Sequence, residues 1–445
     1  MGSADFRSVA DAIAADIAAG RLPPGAKLPP QRDFAYAQGI AVSTASRVYA
    51  ELGRRGLVTG EVGRGTYVRS APGRNGLLQP EPPPAAIDLQ RTHSRLPEQE
   101  AVLAETLAAL AGAGGAMAFG QYGPAGTPQA QAIAAAFLAR DGYAPDPADI
   151  LFTGNGRQAL AAALAALAAP GERIACEPLT YPMVKAIAAR LGITLVPVAM
   201  DAEGMCPDAL LQAHRANPLS GVYLQPTLQN PLGATMGPGR RSDLAAVLAQ
   251  TGLTAIEDAV YGFLADARPL ACLAPDRVIL VDSLSKRVMP SLTLGLVAAP
   301  PPLTDRLAAS IRQGAWTALG LSLAAGMHWM MAGGSATALA AVKRRDAAAR
   351  QVIARAALAD LRVVGDGRAY HLWLELPETW RAEAYAAAAL RQGIALIPAP
   401  AFAVAPGHAP NAVRLALAVP SHDELAAALR RLRRLAFAGD DQAVE

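Results

Sequence analysis

"VDSLSKRVMPSLTLGLV", residues 281–297, decides how most of this chain is read. An apolar run enters a small polar turn, Ser283-Leu284-Ser285, and ends on Lys286. The chain carries 40 Lys and Arg together, and only four of these are lysine. Where arginine is the default cation, a lysine closing a strand raises a chemical question. A primary amine can add to a carbonyl, and a guanidinium, always protonated, cannot.

Similar strand-to-turn runs lie upstream. "DILFTGNG" and "RIACEPLT" each precede a helical pattern, and "GVYLQP", "TAIEDAV" and "RVILVDSLS" are short apolar runs ending in polar turns. This alternation predicts an α/β body with a largely parallel sheet covered on both faces. In such sheets ligands gather at the carboxyl ends of strands. Gathered there are Lys286, Asp258, Tyr261, Asn230 and Tyr181, with Gly154-Asn155-Gly156-Arg157 joining a strand to a helix start that favours an anion. Singly, Asp258 reads as a cap, Tyr181 as a core edge and Lys286 as a surface charge. Together they are what pyridoxal 5'-phosphate (PLP) requires: an amine, a carboxylate for the ring nitrogen, a phosphate cradle and an aromatic to stack.

The first 75 residues are different in kind. They hold ten Lys/Arg and six Asp/Glu, a balance of +4, and the remaining 370 hold 30 and 31, a balance of −1. A basic head on a near-neutral body points to a polyanion for the head alone. Phe6, Val9, Ile13 and Ile17 fall at helical spacing, with Gly20 at the C-cap position. The Pro-Pro pairs of "RLPPGAKLPPQRDFAYAQGI" postpone the next helix to about Gln31, and it runs to Gly39. Ser43 is read as the N-cap of a third helix with the stripe Ala45, Val48 and Leu52, ended by Gly56. "LVTGEVGRGTYV" reads as a glycine-rich hairpin with Arg64 at its tip. Helix, short helix, helix, hairpin is the order of a winged helix-turn-helix. Its third helix would carry Ser43, Thr44 and Arg47 to the major groove.

Cys176, Cys206 and Cys272 lack CxxC spacing and suit a reducing, cytoplasmic compartment; the six histidines show no metal-ligand pattern. No signal-peptide core opens the chain. Residues 314–342 carry no Asp, Glu, Lys or Arg, but Gly333-Gly334 interrupts them, so they read as a buried helix pair rather than a membrane span. Residues 70–86, rich in Pro and Gly, read as a semi-rigid linker between a head at 1–69 and a body at 87–445, with a smaller C-terminal subdomain from about 345.

On "AGRLPPGAKLPPQRDFA", "STASRVYAEL" and "RGLVTGEVGRGTYV" the head resembles the GntR family of bacterial regulators, which implies that Arg32 contacts operator DNA beside Arg47 and the wing. From "QYGPAGTPQ" to "VRLALA" the body resembles fold-type I aminotransferases. The resemblance implies that Lys286 carries PLP as a Schiff base and that Asp258 pairs with the ring nitrogen. It further implies that Tyr181 stacks, that Asn230 and Tyr261 hold the ring hydroxyl, and that Ser283, Ser285, Gly156, Arg157 and Gln158 serve the phosphate. Tyr122 reaches a phosphate across a dimer interface, and Arg414 clamps an effector carboxylate. The fusion resembles the MocR subfamily of GntR regulators: head-to-tail homodimers that sense an amino compound or PLP itself. A working aminotransferase with an accessory head is the competing reading. The sequence departs from the family pattern where Thr293 replaces the arginine that pairs with the phosphate, and Arg157 is a possible substitute. Gly126 is followed by Ala130-Gln131 rather than the family's Leu-Arg, and Met183 stands where relatives sensing γ-aminobutyrate carry arginine.

Overall fold

The computed structural model describes residues 6–18, 21–22, 26–54, 57–61, 65–68, 85–112, 120–140, 142–265, 267–405 and 409–438. The chain divides into two compact units, Met1–Glu81 and Pro82–Glu445.

In the first unit, helices Phe6–Ala18, Gln31–Ala37 and Val42–Arg54 pack around Ile13, Phe34, Val48 and Leu52. Pro30, extended at ψ 144°, caps the second helix. The hairpin forms from Val58–Glu61 and Gly65–Val68, paired Val58 to Val68 and Glu61 to Gly65. A third strand, Lys27–Leu28, pairs antiparallel with Gly65–Val68. The sequence reading assigned no strand there, because two residues are too few to show a period. It also misplaced one cap. The third helix begins at Val42, with the amides of Thr44 and Ala45 both bonded to the Ala41 carbonyl, so Ser43 lies exposed in the first turn rather than capping it. Tyr49 fixes the second helix entry by donating to the Pro29 carbonyl at 2.6 Å. Gly20, Gly56 and Arg64 lie outside the described residues, as do Arg69 and residues 70–84 of the linker.

The second unit is built on a seven-stranded sheet. Its strands are β1 (Ile150–Thr153), β2 (Arg173–Cys176), β3 (Thr194–Pro197), β4 (Gly221–Leu224), β5 (Ala255–Asp258), β6 (Val278–Ser283) and β7 (Gly295–Ala298), in the order β1-β7-β6-β5-β4-β2-β3. Only β7 runs antiparallel to its neighbours. Both faces are covered, since alternate residues of one strand enter different cores. Val278 and Leu280 join helices Pro128–Leu138 and Gly320–Met330, whereas Ile279 and Val281 join helices Gly156–Leu167 and Thr304–Gln313. Such two-sided burial gives uninterrupted apolar strands. The uncharged stretch 314–342 forms helix Gly320–Met330 and the start of helix Ser335–Ala357, with Trp329 wholly buried. Among the described residues no helix is long and apolar enough to cross a membrane.

Helix Ser335–Ala357 links two cores. Leu339 belongs to the large one; Ala354 belongs to that of the C-terminal antiparallel sheet, which includes His371–Glu375 and Ala412–Ala416. The first residues of the body enter this second core. Ile87–Asp88 pairs in parallel with Ile394–Ala395, and Leu89 is fully buried. Leu89→Ala is expected to lower unfolding free energy by about 2–5 kcal/mol through the cavity it leaves. Leu107→Ala, at a side chain 52% exposed, should change it by less than about 0.5 kcal/mol. Denaturant unfolding of the two variants measures both.

Candidate functional site

The carboxyl ends of β1, β5 and β6 open on a cavity of about 260 Å³. At β1 the chain turns through Gly154 into helix Gly156–Leu167, and Asn155 caps it by accepting from the Gln158 amide at 3.1 Å. The first amides of a helix have no acceptor within it, so they are left for an anion. The loop fits because β7 contributes Gly295: a Cβ there would lie 2.2 Å from Thr153 Oγ1. At β6, Ser283 caps the turn Leu284–Arg287 by accepting from the Ser285 amide at 3.1 Å. Ser283, Ser285 and Thr293 form a chain of hydroxyls, each step 2.8 Å. The position that lacks the arginine thus supplies a third hydroxyl.

Lys286 ends this turn inside the cavity. Its Nζ donates to Thr92 Oγ1 at 2.7 Å and lies 3.3 Å from His93 Nδ1. Burial holds its pKa well below the usual lysine value. The charges of Arg414 and Arg157 add to the lowering, against the pull of Asp258. The amine therefore loses its proton, and exposes its lone pair, at a lower pH than a solvated lysine. His93 is pushed down to about 2, by burial first and by Lys286 second, so its ring is neutral beside the amine. A second buried lysine, Lys343, holds the turn from behind by donating to the Lys286 carbonyl at 2.8 Å.

Asp258, at the end of β5, is 1% exposed. Its Oδ2 accepts from Tyr223 Oη at 2.9 Å and Gln225 Nε2 at 2.8 Å. Burial raises its pKa to about 6 in spite of these bonds. Behind it sits Glu177, raised to about 7 by burial, with one oxygen bonded to the Gln225 amide and the other without a partner among the described residues. Tyr261 Oη is 2.8 Å from Thr92 Oγ1. Arg414, 3% exposed, donates from Nη1 to Asn230 Oδ1 at 3.3 Å and from Nη2 to the Gln90 carbonyl, and its Nε has no partner among the described residues.

Of the residues singled out from sequence, Gly156, Arg157, Tyr181, Asn230 and Asp258 line the cavity, as do Tyr261, Ser283, Ser285 and Lys286. Arg157 is exposed at its mouth and donates from Nε to Tyr181 Oη at 3.2 Å. Gln158, Tyr122 and Arg414 do not line it, although Arg414 reaches it through its bond to Asn230. The Gln158 side chain folds against Gly154 and leaves only its backbone toward the cap, and the Tyr122 ring lies over Gly120. In the head, Arg32, Ser43 and Arg47 are exposed and Thr44 is half-buried, and the Arg47 guanidinium rests 4.2 Å from the centre of the Phe6 ring. Sequence reasoning missed Thr92, His93, Glu177, Tyr223, Gln225 and Lys343. Only the scarcity of lysine marked any of them.

Among the described residues no group of His, Cys, Asp and Glu could hold a metal ion. Residues 87–432 match the family model "Aminotransferase class I and II", and residues 6–68 match "Bacterial regulatory proteins, gntR family". A relative from Bacillus subtilis, the uncharacterized HTH-type transcriptional regulator YdeF, is 30% identical over 97% of this chain and 94% of its own. The HTH-type pyridoxine biosynthesis transcriptional regulator PdxR of Corynebacterium glutamicum is 31% identical, over 38% of this chain and 36% of its own. An archaeal alanine:glyoxylate aminotransferase shares the fold at TM-score 0.73 and 22% identity, over 87% of this chain and 98% of its own. The chain thus belongs to the aminotransferase class I and II family, and its gntR-family head places it in the MocR subfamily of GntR-type regulators.

Proposed function

We propose that this chain is a bacterial, cytoplasmic transcription regulator whose head binds operator DNA and whose body senses a small molecule through PLP. The observation that carries the reading is Lys286: a desolvated amine facing one cavity with a buried carboxylate and a cradle of three hydroxyls. The residues present fit PLP. The unpaired Nε of Arg414 and the helix amides at Gly156 and Arg157 are donors waiting for anions, and Asp258 is an acceptor in a dry site.

Bound PLP supplies an aldehyde that condenses with amines and a pyridine ring that withdraws electrons. The chain supplies the rest. Lys286 offers its neutral amine. Asp258, held by Tyr223 and Gln225, keeps a proton on the ring nitrogen. Tyr181 stacks, and Asn230 and Tyr261 bind the ring hydroxyl. Ser283, Ser285, Gly156 and Arg157 take the phosphate, with Gln158 opening the helix beside it and Tyr122 contributed by a second copy in a head-to-tail homodimer. Arg414 takes an effector carboxylate. The effector is an amino compound or PLP itself. PdxR, named for pyridoxine biosynthesis, supports the second choice. Met183 in place of a cation argues against γ-aminobutyrate.

The proposed limits are a head at 1–69, a linker at 70–86 and a body at 87–445, its small subdomain starting near 345. The first body residues then tie the linker to the site. Gln90 caps Arg414, and Thr92 and His93 hold Lys286. A ligand that claims Lys286 or Arg414 competes with these bonds and changes how the head is presented.

Lys286→Ala is expected to abolish the visible absorbance of protein-bound PLP and its borohydride-stable attachment, with the fold intact. A wild-type chain that shows neither when given PLP overturns the cofactor reading. Arg157→Ala should weaken PLP binding at least tenfold, as loss of a charge-assisted bond of about 1.5–3 kcal/mol requires. Adding Thr293→Arg should recover most of that loss, since the two positions serve one phosphate. Arg47→Ala should cost about 1–3 kcal/mol of discrimination between operator and random DNA if it reads a base. Competition binding at two salt concentrations measures this, with the salt slope reporting phosphate contacts separately.

A further inference from the structure

The cofactor reading makes no use of Arg287, the residue directly after Lys286. Its side chain is 5% exposed, and its Nη2 donates to Asp282 Oδ2 at 2.8 Å. Its guanidinium lies 4.5 Å from the centre of the Phe137 ring and 5.2 Å from that of Phe263. Its Nε is buried with no partner among the described residues.

Arg287 forms a wall of a second cavity, of about 300 Å³, on which Arg140 and Arg344 also converge, with Phe137, Phe263 and Met330. Arg140 donates to the carbonyls of Phe137 and Ala139, at the end of helix Pro128–Leu138, and Arg344 is exposed at the rim. Among the described residues neither has an ion-pair partner. Of the three guanidiniums only that of Arg287 is paired with a carboxylate among the described residues, Asp282, while Glu257 lines the adjoining hollow with Arg140 and Arg287. Burial pushes the pKa of Arg287 down first, and the charges of Arg140 and Arg344 push it further against the pull of Asp282. No carboxylate among the described residues lines the hollow itself, and its walls are aromatic and thioether, which suit a flat apolar body.

Asp282 also faces the other way. It lines the cofactor cavity, and its Oδ1 accepts from the Ser283 amide at 2.7 Å, at the start of the hydroxyl cradle. We propose that the Arg140–Arg287–Arg344 hollow is a second binding site, for a small organic anion with an oxyanion on a flat apolar body, and that its occupancy reaches the cofactor cavity through Arg287, Asp282 and Ser283. The oxyanion takes the free Nε–H of Arg287, with Arg344 closing from the rim. It competes with Asp282 for the guanidinium, so Asp282 shifts its hold on the Ser283 amide. Coupling of this kind is reciprocal: the anion and PLP change each other's affinity by one factor.

The test is calorimetric titration of benzoate into the full-length protein, with and without PLP, with benzyl alcohol as the uncharged control. The expected result is one saturable benzoate site per chain, present in both forms but with different affinity, and no binding of benzyl alcohol. Arg344→Glu, at an exposed position that leaves the fold intact, should weaken benzoate at least tenfold. Arg414→Ala should change it less than twofold, because Arg414 serves the cofactor cavity. Binding that survives Arg344→Glu, that vanishes with Arg414→Ala, or that is absent altogether overturns the site. Equal benzoate affinity with and without PLP overturns the communication. The titration without PLP stands alone, so a chain that takes no cofactor still binds benzoate in the hollow or fails to, and the two failures are distinguishable.

Discussion

A half-buried primary amine is the constraint on which the body is built. Burial makes the charged form of Lys286 costly in the cavity, and the groups around it manage that cost. Thr92 accepts from it and His93 lies beside it, Asp258 offsets the cationic field of Arg414 and Arg157, and Lys343 fastens the turn by its carbonyl. The seven-stranded sheet delivers these groups. Parallel strands β5 and β6 place Asp258 and Ser283 at neighbouring ends, and β1 brings the helix start of Gly156 beside them. Placing Ser283 this close to Gly156 makes any side chain at 156 tight, since a Cβ would meet Ser283 Cβ at 3.0 Å.

The same constraint joins chemistry to regulation. Residues 90–93, just past the linker, meet both cations: Thr92 and His93 meet Lys286, and Gln90 meets Arg414 beside Asn230. Their backbone is anchored on one side by Leu89 in the small core and the pairing of Ile87–Asp88, and on the other by buried Leu96 and by Gln99, which bonds the Leu96 amide and the Val288 carbonyl. An enzyme and a sensor require the same amine and carboxylate. Under the proposed function, what distinguishes the sensor is that the strand leading to the head is part of the site.

What the sequence made legible was local. The winged-helix order followed from Pro-Pro pairs and helical stripes, and the turn at Lys286 followed from a lysine in an arginine-rich chain. The missed features needed contacts across the fold. Thr92 meets Lys286 from 194 residues away, and Glu177 reaches Gln225 from 48. Nothing in "LQRTHSRLP" or "CEPLT" distinguishes such residues from ordinary loop polarity. The cap at Ala41 was missed for a related reason. Backbone geometry satisfied the amides where a serine stood two positions later, and propensity favoured the serine.

The most direct measurement is DNase footprinting of the region upstream of this gene, with wild-type chain and Lys286→Ala, each with and without PLP and candidate amines. The account predicts protection of two short repeats whose extent changes with ligand in the wild type and not in Lys286→Ala. Protection that ignores ligand in both, or a chain that protects no DNA while exchanging amino and keto groups at ordinary enzyme rates, would contradict it.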